Sequence, residues 1–191
     1  ASDVTVCKGG SATVTLTPGN GTITKWNTST SGASGSYSSV SSTSNTYSLT
    51  NITNNTWVTA TSKNGVCAEA TTVTPVAITV RELPVATIAG STTICSGTTA
   101  NLTLNISNEY GQPWSITYLE GTATKTVTGS GTTATITTSA LTTNTDVTLQ
   151  TITLTGTASS TNPLCSNTLS STVTVNVNVL PTVTLNSVGG P

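Results

Sequence analysis

Apolar and hydroxyl-bearing side chains alternate one by one through most of this chain. Ala12-Thr13-Val14-Thr15-Leu16 runs in a period of two, as do Leu102-Thr103-Leu104-Asn105-Ile106 and Val173-Thr174-Val175-Asn176-Val177. Such a period sends successive side chains to opposite faces of an extended backbone, so each window predicts a strand with one buried and one solvated face. Val, Ile and Thr fill these windows, and their branched Cβ favours the extended conformation. Strands are expected near Val4–Cys7, Ala12–Thr17, Thr22–Trp26, Thr46–Leu49, Thr56–Ser62 and Thr72–Val80. A second set is expected near Val85–Ile88, Ala100–Ile106, Trp114–Glu120, Thr122–Thr128, Thr132–Thr138, Asp146–Thr155 and Ser171–Val179. Gly, Asn, Ser and Pro punctuate the gaps. No window carries a 3.6-residue apolar period, which makes the chain all-β.

The pattern occurs twice. Cys7-Lys8-Gly9-Gly10-Ser11-Ala12 and Cys95-Ser96-Gly97-Thr98-Thr99-Ala100 both read Cys-x-Gly-x-x-Ala and both open an alternating run. Trp26 lies as far beyond Cys7 as Trp114 lies beyond Cys95. A second cysteine, Cys67 or Cys165, closes each copy ahead of a Thr/Val-rich last strand, and each copy ends at Leu-Pro (Leu83-Pro84, Leu180-Pro181). The expected modules are 1–82 and 83–180. Residues 181–191 read as the start of a further repeat, because Thr182-Val183-Thr184-Leu185 parallels Val85-Ala86-Thr87-Ile88 after the same dipeptide. Six or seven short strands per module, with a tryptophan on the third, fit tandem immunoglobulin-like β-sandwiches. Short Pro-containing junctions favour modules held in line over beads on a loose string.

Composition narrows the functional classes. Only 6% of the 191 residues are charged, with five bases, six acids and no histidine. The charges stand singly, so no basic patch is present to neutralise phosphates and nucleic acid is not an expected partner. No apolar run approaches the roughly 20 residues that span a bilayer as a helix, so membrane insertion of this segment is not expected either. The four cysteines are far apart and lack histidine partners, which disfavours a zinc site. Structural disulfides in an oxidising, extracellular compartment explain them better. With one cysteine pair per repeat, the expected bonds are Cys7–Cys67 and Cys95–Cys165, one in each sandwich.

These residues carry a family resemblance. Cys-x-Gly-x-x-Ala with alternating strands, then Trp, then Asn64-Gly65-Val66-Cys67 before the last strand, resembles the Ig-like repeats of giant Bacteroidota cell-surface proteins. The second module, with Gly111-Gln112-Pro113-Trp114-Ser115-Ile116-Thr117-Tyr118, is similar to the PKD-like repeats found beside them. The resemblance implies export by type IX secretion and a place in a long adhesin filament, of the kind that serves gliding motility. Related repeats also act as spacers in secreted hydrolases.

Candidate chemistry is sparse. A Ser–His–Asp or Cys–His arrangement has no histidine to use. Glu109 and Glu120 flank the Trp114 strand, and glycoside hydrolysis would require their carboxyls within about 10 Å; solvated strand-end acids are the expected reading. Glu82 is the one acid at the first junction, too few for calcium. Lys125 is the only lysine of the second module, so an intramolecular Lys–Asn crosslink is not expected there. Trp26 and Trp114 share a repeat spacing and are expected in the cores. Trp57, Tyr37 and Tyr110 are the candidate ligand contacts. The expectation is a non-catalytic stalk segment without cofactor or metal. Its partners are neighbouring repeats of the same chain, with surface polysaccharide engaged through other parts of the protein. The alternatives are a carbohydrate-binding or adhesive module in its own right and a hydrolase spacer.

Overall fold

The computed structural model describes residues 2–17, 19–72, 74–90 and 92–185, and it is all-β. The chain divides into two compact units. Unit 1 comprises Ala1–Leu83 and Gly156–Cys165; unit 2 comprises Pro84–Thr155 and Ser166–Pro191.

Unit 1 contains β1 (Val4–Cys7), β2 (Gly10–Thr15), β3 (Thr22–Ser29), β4 (Ser38–Ser41), β5 (Thr46–Ile52), β6 (Thr56–Lys63), β7 (Ala70–Thr71) and β8 (Val76–Arg81). One sheet runs β1-β8-β6-β3-β4, with β7 also on β6, and a second pairs β2 with β5. β1 and β8 are parallel; the other pairs are antiparallel. Alternation turns Val6, Ile23, Trp26, Val58, Ala60 and Ile78 of the large sheet inward, onto Val14 and Ile52 of the small one. This is the two-layer, Ig-like sandwich that the period of two predicts.

Unit 2 contains β9 (Val85–Ala89), β10 (Thr92–Cys95), β11 (Asn101–Ser107), β12 (Trp114–Glu120), β13 (Ala123–Gly129), β14 (Thr133–Thr137), β15 (Thr145–Leu154), β16 (Ser166–Thr168) and β17 (Thr172–Asn178). Its sheets run β10-β17-β15-β12-β13, with β16 on β15, and β14-β11-β9. Strand for strand, β10 to β17 repeat β1 to β8, including the parallel first pair. β9 has no counterpart among the described residues of unit 1.

Several expectations need correction. The strand expected over Thr72–Val80 begins only at Val76, after a bend ahead of Pro75, a residue that cannot donate to a ladder. β4, β7, β10 and β16 were not expected; β4 is a fully exposed Ser-rich strand without apolar alternation, and β7, β10 and β16 are only two, four and three residues long.

The tryptophans are both buried, Trp26 at 2% and Trp114 at 0% exposure, but they do not share a position. Trp26 pairs with Ala60, and the ladders carry Ala60 onto Leu149, whose partner is Tyr118. Trp26 therefore corresponds to Tyr118. Trp114 occupies the place of Gly21, two residues before the matching Ile23 and Ile116. Equal spacing from the cysteine concealed a longer stretch from Leu104 to Ile116 than from Leu16 to Ile23, and a bulge in β3.

The disulfide expectation is also overturned. Cys7 is bonded to Cys165, 158 residues away, while Cys67 and Cys95 are free and exposed. The reason lies in residues 156–165, expected in the second module but packed as part of unit 1. The Thr5 amide donates to the Ser160 carbonyl at 2.6 Å, and the Arg81 guanidinium donates to Asn162 Oδ1 at 2.7 Å. These bonds hold the segment against β1 and β8 and bring Cys165 to Cys7. Of the stretch expected to open a further repeat, residues 181–185 form no strand, and 186–191 lie outside the described residues.

Candidate functional site

The acids are spent on structure. Glu109 precedes and Glu120 ends β12, so about 20 Å of strand separates them and they form no carboxylate pair. Glu120 is not a solvated strand-end acid, being only 8% exposed. It accepts a 2.7 Å bond from Lys125 Nζ and 3.1–3.2 Å bonds from the Ser139 amide. Burial pushes its pKa up, but the Lys125 and Ser139 hydrogen bonds and the Lys125 charge outweigh burial, leaving it below the usual carboxylate range. Lys125 also donates to Ser139 Oγ at 2.6 Å. The neighbouring Tyr118 phenol is raised by its own burial. Glu82 forms an exposed ion pair with Lys8 at 3.0 Å. Among the described residues no three of His, Cys, Asp and Glu converge.

The cores take the large aromatics. The Trp26 indole donates to the Ser44 carbonyl at 3.0 Å and stacks on Tyr47 at 5.6 Å. The Trp114 indole donates to the Gly131 carbonyl at 2.9 Å and covers Gly129 across the β12/β13 pair. Tyr47 was missed as a core residue, although its alternation with Leu49 along the expected Thr46–Leu49 strand is a signal that could have found it.

Two of the hollows in unit 1 bear on ligand binding. The first, about 600 Å³, opens on the outer face of the large sheet. Its floor is Asn27, Thr59 and Thr61, all buried. Asn27 Nδ2 donates to both threonine hydroxyls at 3.2 Å, and Asn27 Oδ1 accepts from Ser39 Oγ at 2.7 Å. Lys25, paired with Glu69 at 3.0 Å, stands on its wall. Opposite is the half-buried Tyr37, whose hydroxyl donates to the Ala33 carbonyl at 2.9 Å. Polar side chains around one aromatic ring can receive a small hydroxylated ligand.

Of the candidate contacts, only Tyr37 lines this hollow. Trp57 is half-buried on β6, opposite Ser29 and Ala77. Tyr110 belongs to unit 2 and is 41% exposed, in a turn with φ of 53°. The second hollow is an apolar groove of similar volume beside β2, lined by residues that include Val14, Leu16, Trp26 and Val76.

Residues 1–82 match the family model described as a domain of unknown function (DUF8696). That span covers most of unit 1 and less than half of the chain. No curated protein matches the chain.

Proposed function

We propose that this chain is a non-catalytic structural segment of an extracellular cell-surface adhesin, in which repeated sandwich units supply length and durability. The observation that carries the proposal is the strand-for-strand repetition of one eight-strand plan, parallel first pair included, in both units. Repetition of a self-contained unit adds length without adding chemistry. The charged groups serve the same end: Glu120, Lys125, Glu82, Lys8, Glu69 and Lys25 neutralise one another in pairs. The Cys7–Cys165 bond fits an oxidising exterior. The resemblance to giant Bacteroidota surface repeats adds type IX export and gliding filaments to this reading.

Antibody raised against the chain, applied to intact producing cells, should label extended surface structures. Label confined to lysed cells would contradict the reading. The hollow at Tyr37 favours an adhesive role as second reading. In that case a glycan array probed with the chain gives signals that Tyr37→Ala abolishes.

A further inference from the structure

The two units differ in what they build on the outer face of the large sheet. In unit 1, β3 and β4 are joined by residues 30–37; the corresponding strands of unit 2, β12 and β13, are joined by residues 121 and 122 alone. The ladders carry Asn27 onto Leu119, Thr59 onto Thr148 and Pro75 onto Thr172. In unit 2 the Thr148 and Thr172 hydroxyls bond one another at 2.9 Å. In unit 1 a proline stands in the place of Thr172, so Thr59 finds no hydroxyl there. A repeat that supplied length alone would need neither the longer connection nor the asparagine.

The hydrogen bonds of the Asn27 hollow run in one direction. Ser39 Oγ donates to Asn27 Oδ1 at 2.7 Å, and Asn27 Nδ2 commits its two hydrogens to Thr59 Oγ1 and Thr61 Oγ1, each at 3.2 Å. Thr61 Oγ1 shares a further bond with Thr71 Oγ1 at 2.9 Å. Thr59 only accepts. Its own hydroxyl hydrogen has no acceptor among the described residues, although Thr59 is just 7% exposed. A donor so buried calls for an acceptor from outside the chain. The wall is as firmly set as the floor. The Gly35 amide donates to the Gly32 carbonyl at 3.0 Å, and a Cβ at Gly35 would come within 2.9 Å of Ser29 Oγ. The Tyr37 hydroxyl is held by the Ala33 carbonyl, which leaves the ring as the surface Tyr37 presents.

Charge selects the ligand further. Lys25 is the only charged residue among the described residues of the lining, and Glu69 neutralises it at 3.0 Å. A charged ligand would find no counter-charge here, whereas an uncharged one with acceptor oxygens beside a C–H face matches both the Thr59 hydroxyl and the electron-rich face of an aromatic ring. We propose that the hollow binds a neutral hexopyranose unit of a glycan. One sugar oxygen accepts from Thr59 Oγ1, and a C–H face of the pyranose lies against the Tyr37 ring. Ser39 Oγ, whose hydrogen goes to Asn27, accepts from a second sugar hydroxyl. Asn27 is a positioning residue, fixing both hydroxyls without touching the sugar. The volume of about 600 Å³ falls within the range of small-ligand pockets. The proposal rests on the adhesive reading of this hollow and adds the ligand class and the residues that select it.

Amide NMR spectra of the isotope-labelled full chain, titrated with the methyl glycosides of glucose, galactose and mannose, test it. The methyl glycosides of glucuronic acid and N-acetylneuraminic acid serve as charged comparisons. At least one neutral glycoside should give saturable shifts at Asn27, Thr59 and Tyr37, and the charged ones should bind at least ~10-fold more weakly. Tyr37→Ala and Thr59→Val should each weaken binding at least ~10-fold. Tyr37→Phe and Thr59→Ser, which keep the ring and the hydroxyl, should stay within ~3-fold. Thr59→Val also strands an Asn27 hydrogen, so the Tyr37 pair, in a surface connection, provides the test that does not depend on the floor staying folded. Preference for a charged glycoside overturns the proposal and leaves the adhesive reading of the hollow in place. Binding that Tyr37→Ala leaves intact overturns it and assigns adhesion to another surface. No shift from any glycoside overturns it as well; glycan-array signals would then preserve the adhesive reading, and a blank array would remove both.

Discussion

Lys125 and Glu120 illustrate how a chain this poor in charge uses the charges it has. The Glu120 side chain is 5% exposed and its Lys125 partner 31%, so removing Lys125 strands a carboxylate that only Ser139 then serves. Lys125→Ala should destabilise unit 2 by about 1–3 kcal/mol in urea unfolding at neutral pH. The sign with pH follows from the lowered folded-state pKa of Glu120. Its stabilisation is complete above the unfolded value of about 4.3 and is lost as pH falls through the lower folded value. Wild type should therefore weaken in acid, and Glu120→Gln should be weaker at pH 7 with a flatter acid limb. Identical acid limbs would contradict this role. Of the four cysteines expected in disulfides only Cys7 and Cys165 are bonded, and their pairing was not readable because the partner of Cys7 is delivered by a segment whose docking rests on Asn162 and the Ser160 carbonyl. The longer Cys-to-Cys spacing of the second copy is the trace that segment left in sequence. In native oxidised protein, iodoacetamide should label Cys67 and Cys95 and spare Cys7 and Cys165. Protection of all four thiols would restore the expected pairing.

At the scale of elements, strands with clean alternation were legible nearly to the residue. Trp114–Glu120 and Val4–Cys7 have the expected bounds, since a period of two with one apolar face leaves the backbone no competing choice. β4 was illegible because its partner β3, and not its own pattern, makes it a strand. Register was illegible where connection lengths and bulges differ between the copies, as the Trp26–Tyr118 correspondence demonstrates. The hollow around Asn27 was illegible too: its floor is built from ordinary Thr and Asn that only the β3/β6 ladder brings together. Close packing gives this scale its own prediction. A Cβ at Gly129 would come within 2.7 Å of the Trp114 ring. Gly129→Ala should cost unit 2 about 1–3 kcal/mol, read from thermal melts, and Trp114→Phe should recover part of the loss. A neutral Gly129→Ala would mean that Trp114 does not sit over β13.

For the whole molecule, the single crosslink matters more than any contact. Bonding residues 158 apart restricts the unfolded chain by up to roughly 5 kcal/mol in the loop-entropy model. It also diverts mechanical load, because tension applied at the two ends crosses from Cys7 to Cys165 and bypasses the residues between them. Durability under tension is the central claim of the stalk reading, and single-molecule pulling from residues 1 and 191 tests it directly. With 158 of the 191 residues enclosed by the bond, about 33 can be drawn out. The oxidised chain should therefore extend to only about 110 Å, and the reduced chain to about 650 Å. An oxidised chain that reaches about 200 Å, the limit set by one bond within each repeat, or that extends as far as the reduced one, would contradict the account.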